Sequence, residues 1–262
     1  MSESNEDLRP TPGERASRVF KRPDVRSAFM YGVLWTIVFT VLGLYFYPRW
    51  MPEALSEDMT RMREIMIGFT VISAPIAGLV LGMATHAFMN RHTGDTPPPE
   101  GPAVRTNGPV VAVWTVVSAL FCLVAIVWGL IEVNQMASAA TNNAKQALKV
   151  EVIGSQWVWS FKYPELGVES DQLMLPIDRP VDFEVVSMDV NHSFWPVQLG
   201  VKVDANHSAP THVYTTPNKL GTIDVKCAEL CGLHHAYMET DGKVMTVEDF
   251  NAWVTANGGH SA

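Results

Sequence analysis

The chain has little cysteine and little charge for its length. Only three of its 262 residues are cysteine, which is too few for a disulfide scaffold. Charged residues make up 18% of the chain, and 19 Lys and Arg against 27 Asp and Glu leave no cationic face for nucleic-acid phosphates. With 47% hydrophobic residues, the composition is also unlike that of a disordered or collagen-like chain. We therefore expect a folded protein without a nucleic-acid partner.

The charge is distributed unevenly between the two halves. Of the formal net charge of −8, residues 1–133 carry −1 and residues 134–262 carry −7. Three windows in the first half contain no Asp, Glu, Lys or Arg: 28–47, 65–89 and 108–131. About 20 helical residues cross a hydrocarbon core of about 30 Å, so each window predicts a transmembrane helix. Three buried helices of a large soluble core are the alternative.

The residues that flank the windows predict how the chain crosses the membrane. The first window is too long for the apolar part of a signal peptide, and no small-residue cleavage site follows it. Segments 1–27 and 90–107 contain eight Lys and Arg, against three in segment 48–64. This bias predicts a cytoplasmic tail over 1–27, a three-helix membrane region over 28–133 and an exported domain over 134–262.

Two residues within the windows need separate interpretation. His86 is the only strongly ionisable side chain there. It could serve as a proton or cofactor site, but it lies one turn from a helix end, where a neutral histidine is the commoner case. Cys122 is the only cysteine in the third window, and we expect it to pack as a small apolar residue.

The exported half changes to short runs with a period of two. Apolar and polar residues alternate over 148–153, 181–188, 211–215 and 221–225, and Gly, Pro and Asn separate the runs. This pattern predicts a small antiparallel sandwich or barrel. Near the C-terminus, Thr246 and Asp249 resemble a capping box that opens a short helix over 247–256.

The segment 227–238 concentrates side chains that bind metals. It offers the thiols of Cys227 and Cys231, up to two imidazoles and the thioether of Met238. Such soft ligands suit copper and can also suit zinc. A disulfide, a closed zinc site completed by a distant histidine and a simple turn remain open alternatives. The thioether favours copper, because methionine is a poor zinc ligand and a familiar axial ligand of copper.

The pattern C-x-E-x-C-G-x-x-H-x-x-M closely resembles the dicopper (CuA) loop of cytochrome c oxidase subunit II. Two upstream segments extend the resemblance in the family's order. Segment 189–195, followed by 199–204, is similar to the part of the family that supplies the first histidine ligand, and segment 154–160 is similar to its aromatic motif. The resemblance covers 148–238 and implies an all-β, cupredoxin-like sandwich behind an α-helical membrane anchor.

The resemblance also implies a set of metal ligands. Two copper ions share six of them, namely His192, Cys227, the backbone carbonyl of Glu229, Cys231, His235 and Met238. Both thiolates bridge the metals. His192 and Met238 complete one copper, and His235 and the Glu229 carbonyl complete the other.

Other histidines of the exported half are not implied as ligands. The family spacing of three residues between Cys231 and the histidine selects His235 rather than His234. We expect His207 and His212 to occupy surface or turn positions.

Three further roles follow from the resemblance. Trp157 is similar to the aromatic residue that receives an electron from the donor, with interface packing as its alternative role. The side chain of Glu229 is similar to the ligand that subunit II lends to a magnesium or manganese ion at the boundary with subunit I. Asp204 stands where the family places an acid beside the ligands.

As a whole, the resemblance implies subunit II of a terminal haem-copper oxidase. Such a subunit accepts electrons from cytochrome c or a similar one-electron donor and passes them to the haem-containing catalytic subunit I, which reduces oxygen. Subunit III is a further expected partner, and a bacterial-type inner membrane is the expected location. The net charge of −7 on residues 134–262 suits a basic donor.

Two departures from the family pattern keep alternatives open. The family has a two-helix hairpin before its copper domain, whereas three windows precede this one. Val111 stands where the aligned family has a glutamate at the mouth of a proton channel. The alternatives are the electron-accepting subunit of a copper-containing nitric oxide reductase and a membrane-tethered copper-binding or copper-delivery protein. The quinol-oxidase branch is disfavoured, because it lacks the copper ligands.

Overall fold

The computed structural model describes residues 22–91, 108–143 and 146–260. Most of the predicted N-terminal tail (1–21) and of the predicted inner loop (92–107) lies outside the described residues. The chain forms two compact units. One contains Met1–Met51 and Arg63–Gly101, and the other contains Pro52–Met62 and Pro102–Ala262.

Three helices match the three charge-free windows: α1 (Pro23–Trp50), α2 (Glu57–Met89) and α3 (Gly108–Asn143). Each is long and apolar enough to cross a membrane, which confirms the predicted anchor. Helix α3 continues past the predicted boundary at residue 134, because the polar stretch after its window stays helical as far as Asn143.

Small residues bring α1 and α2 together within the first unit. A Cβ atom added to Gly82 would lie 2.4 Å from the Gly32 nitrogen, and one added to Gly78 would lie 2.2 Å from the hydroxyl of Thr36. The backbones therefore approach closely, as is common where small residues meet in membrane helices. His86 lies at the end of this contact, with Nδ1 2.9 Å from the Ser27 hydroxyl, so its described contacts are those of a polar residue at a helix end.

Among the described residues of the second unit, ten strands form two five-stranded sheets. The first sheet has the order β3-β2-β1-β5-β8, with β1 Leu148–Ser155, β2 Val158–Tyr163, β3 Val168–Ser170, β5 Val181–Ser187 and β8 Thr211–Thr215. The second has the order β4-β10-β9-β6-β7, with β4 Leu173–Pro176, β6 His192–Pro196, β7 Val203–Ala205, β9 Gly221–Cys227 and β10 Glu239–Met245. The two sheets pack around one core, which confirms the predicted all-β sandwich.

Both sheets are mixed rather than purely antiparallel. Strand β1 pairs with β5 in parallel, in the register Val150 to Phe183, and β10 pairs with β4 in parallel. A parallel pair requires a long connection, and here whole strands lie between the partners. The alternating pattern specified which residues face the core but not the direction of the neighbouring strand.

The core lies between the sheets and is rich in aromatic rings. Phe161, Phe183 and Phe194 are fully buried, and the ring centroids of Phe183 and Phe194 are 5.2 Å apart. Helix α4 (Val247–Ala256) adds Phe250 to this core. Its predicted start is confirmed, because the Thr246 hydroxyl accepts a hydrogen bond from the Asp249 amide at 3.1 Å.

The segment between α1 and α2 is part of the sandwich. Leu55 has no exposed surface, and its backbone N–H donates to the Gln198 carbonyl at 3.0 Å. Its carbonyl accepts from the Asn218 N–H at 2.9 Å. Gly200 has φ +69°, and a Cβ atom there would lie 2.6 Å from Cα of Met59. Segment 52–62 therefore completes the domain that forms more than 80 residues later in the chain.

Candidate metal centre

Two neighbouring strands and one loop bring the predicted ligands together. His192 is the first residue of β6, and Cys227 is the last residue of β9, which pairs with β6. The chain then turns through Cys231 into a short 3₁₀ helix, His235–Tyr237, and Met238 follows immediately before β10. The sheet therefore fixes the first two ligands, and the β9–β10 loop supplies the others.

All the predicted ligand atoms meet in one cluster around the two sulfurs. Sγ of Cys227 and Sγ of Cys231 are 3.8 Å apart. Around the first sulfur, Nδ1 of His192 lies at 3.8 Å and the Glu229 carbonyl oxygen at 3.2 Å. Around the second, Nδ1 of His235 lies at 3.5 Å and Sδ of Met238 at 3.7 Å. Two thiols, two imidazoles, a thioether and a carbonyl thus converge on one place.

The geometry does not support a disulfide. Both cysteines are free thiols, and their sulfurs are farther apart than the roughly 2.05 Å of an S–S bond. The ligand atoms of His192, Cys227 and Cys231 all lie within 4.8 Å of one another, as a metal site requires. The donor set, with its thioether, fits copper better than zinc.

The cluster is closed off from water on the side of the core. His192 and Met238 are almost fully buried, and Cys231 is 3% exposed. Burial and the neighbouring Cys227 raise the pKa of the Cys231 thiol to about 11. A metal cation reverses this effect, because it binds the thiolate and drives off the proton.

The carboxylate of Asp189 orients His192, although no sequence motif marks Asp189 as functional. Oδ1 of Asp189 lies 2.8 Å from Nε2 of His192, which leaves Nδ1 facing the sulfurs. Asp189 also accepts hydrogen bonds from the backbone N–H groups of Gln156 and Val190, each at 2.7 Å. Burial raises the pKa of Asp189, but these hydrogen bonds outweigh it and hold the pKa below its usual value. Its place three residues before His192 was the available sequence signal.

Trp157 lies against the metal-binding loop. The indole is partly buried, and a Cβ atom added to Gly232 would come within 3.3 Å of it. The ring meets His234 edge to face, with centroids 4.5 Å apart. The preceding Gln156 donates from Nε2 to the Cys231 carbonyl at 2.7 Å. His234 therefore contacts Trp157 and lies outside the cluster of ligand atoms.

The side chains of the remaining predicted residues are not among the ligand atoms of the cluster. The Glu229 side chain is exposed, while its carbonyl faces Cys227. Asp204 accepts a hydrogen bond from the Ser193 hydroxyl at 2.8 Å, next to His192 in sequence. His207 is exposed, and Nδ1 of His212 lies 3.0 Å from Oδ1 of Asp182.

Comparison with known proteins agrees with this geometry. The family model for the periplasmic domain of cytochrome c oxidase subunit II matches residues 166–244. Cytochrome c oxidase subunit 2 of Thermostichus vulcanus is 39% identical over 126 residues, which cover 48% of this chain and 38% of that protein. Its counterpart in Synechocystis sp. is 26% identical over 266 residues, covering 84% of this chain and 80% of that protein.

Among solved structures, the periplasmic domain of subunit II of cytochrome oxidase from Bradyrhizobium japonicum is similar. It has 26% sequence identity and a TM-score of 0.41, and the match covers 42% of this chain and 93% of that one. The family match and the donor set together imply copper binding. Over residues 166–244, the β-sandwich of this chain is therefore similar to the periplasmic domain of cytochrome c oxidase subunit II.

Proposed function

We propose that this chain is subunit II of a terminal haem-copper oxidase. In this role it accepts electrons one at a time at a two-copper centre and passes them to a haem-containing subunit I that reduces oxygen to water. The observation that carries the proposal is the convergence of four ligand atoms on two adjacent thiol sulfurs, which makes six ligand atoms in all. A mononuclear copper or zinc site needs fewer ligands than this cluster presents.

Each ligand has a defined place in this proposal. The thiolates of Cys227 and Cys231 would hold both metals; His192 and Met238 would complete the ligands of one copper, and His235 and the Glu229 carbonyl those of the other. When bound, the copper pair supplies a centre that exchanges one electron with little change in geometry. The protein contributes a site fixed by paired strands and closed by core packing, which limits rearrangement of the ligands.

The donor-facing surface is proposed to lie at Trp157. The indole packs on the metal-binding loop and is partly exposed, so it can contact both a donor and the site. The net charge of −7 on residues 134–262 supports a basic donor such as cytochrome c, because opposite charges accelerate encounter. Trp157 would then be the residue through which the electron arrives.

The proposed complex has further members. The exposed Glu229 carboxylate is available as a ligand to a magnesium or manganese ion shared with subunit I, and subunit III is a further proposed partner. We propose a bacterial-type inner membrane as the location, with the N-terminus in the cytoplasm and the copper domain on the outer side. The family match does not favour the nitric oxide reductase or copper-delivery alternatives.

Electron paramagnetic resonance of the copper-loaded chain tests this proposal. We expect two copper ions per chain and a spectrum in which one unpaired electron is shared equally by both nuclei. Replacing Cys231 by Ser should abolish that spectrum, whereas the matched surface change His207→Ala should leave it intact. A single-copper spectrum, or one equivalent of zinc in the purified chain, would contradict the proposal.

A further inference from the structure

Trp159 lies in the core beside the first histidine of the metal centre. It belongs to β2 and is 2% exposed. Its ring meets the ring of His192 edge to face, with centroids 6.0 Å apart and an interplanar angle of 65°. It also meets Phe194 edge to face, with centroids 5.7 Å apart. Because β2 is in the first sheet and β6 in the second, Trp159 connects the metal centre to the core between the sheets.

Gly154 makes room for this contact. It pairs with Trp159 across β1 and β2. A Cβ atom added to Gly154 would lie 3.0 Å from Cζ3 of Trp159 and 3.1 Å from Cδ2 of His192. Distances this short are rare for a Cβ atom, so an alanine would displace the two rings by a few tenths of an ångström. The missing side chain at position 154 thus lets both rings approach the same backbone.

The ring of His192 is held at more than one point. Its Nε2 lies 2.8 Å from Oδ1 of Asp189, and its Nδ1 faces Cys227. A hydrogen bond at Nε2 fixes one atom and leaves the ring able to tilt about it. The contact of the carbon edge with Gly154 and Trp159 adds a second point. The two contacts together determine the plane of the imidazole, which has no exposed surface.

Hydrogen bonding does not explain a tryptophan at position 159. Its Nε1 is buried, and within the part of the chain that the structure describes no atom accepts a hydrogen bond from it. An unpaired buried donor destabilises a fold, whereas a phenylalanine would fill apolar space without one. The indole is the larger ring, and it reaches His192 and Phe194 at once while it lies against Gly154. Its shape therefore accounts for its place better than its polar group does.

We propose that Trp159 is a positioning residue for the metal centre. Its ring, seated on Gly154, holds the imidazole of His192 in the orientation that directs Nδ1 at Cys227. The inference rests on the proposed copper site, whose affinity and spectrum depend on how firmly the ligands are held. This role differs from that of Trp157, whose described ring contact is with His234 in the metal-binding loop.

Three variants of the full chain in detergent test the proposal. Trp159→Phe keeps an apolar ring but shortens its reach to His192, and Gly154→Ala keeps the indole but displaces both rings. Phe161→Leu is the matched control. Phe161 is also buried on β2, and its ring meets Phe194 with centroids 6.3 Å apart. If Trp159 only fills space in the core, Trp159→Phe and Phe161→Leu should have similar effects.

The copper-loaded variants provide the first set of measurements. Copper affinity, measured by competition with a chromogenic chelator, should fall by about two- to tenfold in Trp159→Phe and Gly154→Ala. The copper hyperfine splitting and the reduction potential should also change in both. Phe161→Leu should unfold at a lower urea concentration, with the copper spectrum and potential of the wild type. The proposal is overturned if the first two variants keep the wild-type spectrum, or if Phe161→Leu changes it equally.

NMR of the copper-free chain with isotope-labelled histidine separates this inference from the proposed function. In the wild type, the Hδ2 signal of His192 should be single and narrow. It should broaden or double in Trp159→Phe and Gly154→Ala, because the ring then adopts more than one orientation, and stay narrow in Phe161→Leu. A narrow signal in both site variants overturns the inference, whichever metal the wild type binds. If Trp159→Phe fails to fold, Gly154→Ala decides the outcome, because it retains the indole.

Discussion

Nε2 of His192 lies 2.8 Å from Oδ1 of Asp189, and this contact determines which ring nitrogen faces the sulfurs. With Nε2 engaged by a carboxylate, Nδ1 is the atom directed at Cys227. Asp189 is itself fixed by two backbone N–H donors. Such partners hold a ligating histidine in one tautomer and one orientation.

Replacing Asp189 by Asn should therefore weaken copper binding without removing a ligand. Loss of such a partner typically lowers metal affinity by about 10- to 100-fold. Competition with a chromogenic copper chelator would measure the change. Asp204→Asn is the control, because Asp204 accepts from Ser193 and not from His192. Equal losses in both variants would show that Asp189 acts only through the general charge of the domain.

His234 should affect electron acceptance through its contact with Trp157. An edge-to-face ring pair contributes about 0.5–1.5 kcal/mol, so losing it should lower the population of the observed indole orientation by roughly fivefold. Stopped-flow reduction by a reduced donor should be slowed by His234→Ala, and more strongly by Trp157→Gln, with the copper spectrum intact in both. His207→Ala serves as the control. Loss of the copper spectrum in Trp157→Gln would assign that residue to packing instead.

Leu55→Ala should destabilise the sandwich, although Leu55 lies between two membrane helices in sequence. Its side chain is fully buried in the core, and truncating such a leucine costs about 2–5 kcal/mol in the free energy of unfolding. Urea unfolding in detergent, followed by tryptophan fluorescence, would measure the loss. Val247→Ala, at a 53% exposed position, should cost less than about 0.5 kcal/mol. A similar cost for both would mean that segment 52–62 is only loosely attached.

Tyr163 should make the domain sensitive to alkaline pH. Its hydroxyl is fully buried, and burial raises its pKa, although the hydrogen bond to the Met174 carbonyl partly opposes the shift. Because the pKa of Tyr163 is higher in the folded protein, its protonated hydroxyl makes its full contribution to folding stability below the unfolded-state pKa of about 10. This contribution is lost as the pH rises above that value. The slope is at most about 1.4 kcal/mol per pH unit.

Tyr163→Phe tests this origin of the pH dependence. The variant should be less stable at pH 7, because both hydrogen bonds between its hydroxyl and Met174 are lost. Between roughly pH 10 and 11.5 its stability should fall less steeply than that of the wild type. Melting curves of the two proteins across this range would show the difference. Parallel curves would assign the alkaline sensitivity to other groups.

The sequence was sufficient to predict the helices and the place of the metal centre. Charge-free windows predict α1, α2 and α3, because a long apolar helix has few alternatives. Five of the six predicted ligands lie within twelve residues, so one loop brings them together. Their assignment to individual copper ions stays a prediction, as does a departure from the usual proton route, which Val111 indicates.

Other features could not be predicted from the sequence, because they depend on contacts between distant parts of the chain. The attachment of Leu55 relies on backbone groups of Gln198 and Asn218, which any residue type could provide. The parallel pairing of β1 with β5 could not be predicted from the alternation in β1. That pattern shows which side chains face the core, and not which strand lies beside β1.

The attachment of segment 52–62 to the sandwich also constrains the path of the chain across a membrane. A segment that shares a fold with strands beyond residue 148 must lie on the same side as those strands. The chain between them, with helices α2 and α3, must therefore make an even number of crossings. If α1 spans, it adds one more crossing, which places its first residue on the opposite side. We therefore expect the start of α1 on the side opposite the sandwich, and this expectation does not depend on counting Lys and Arg.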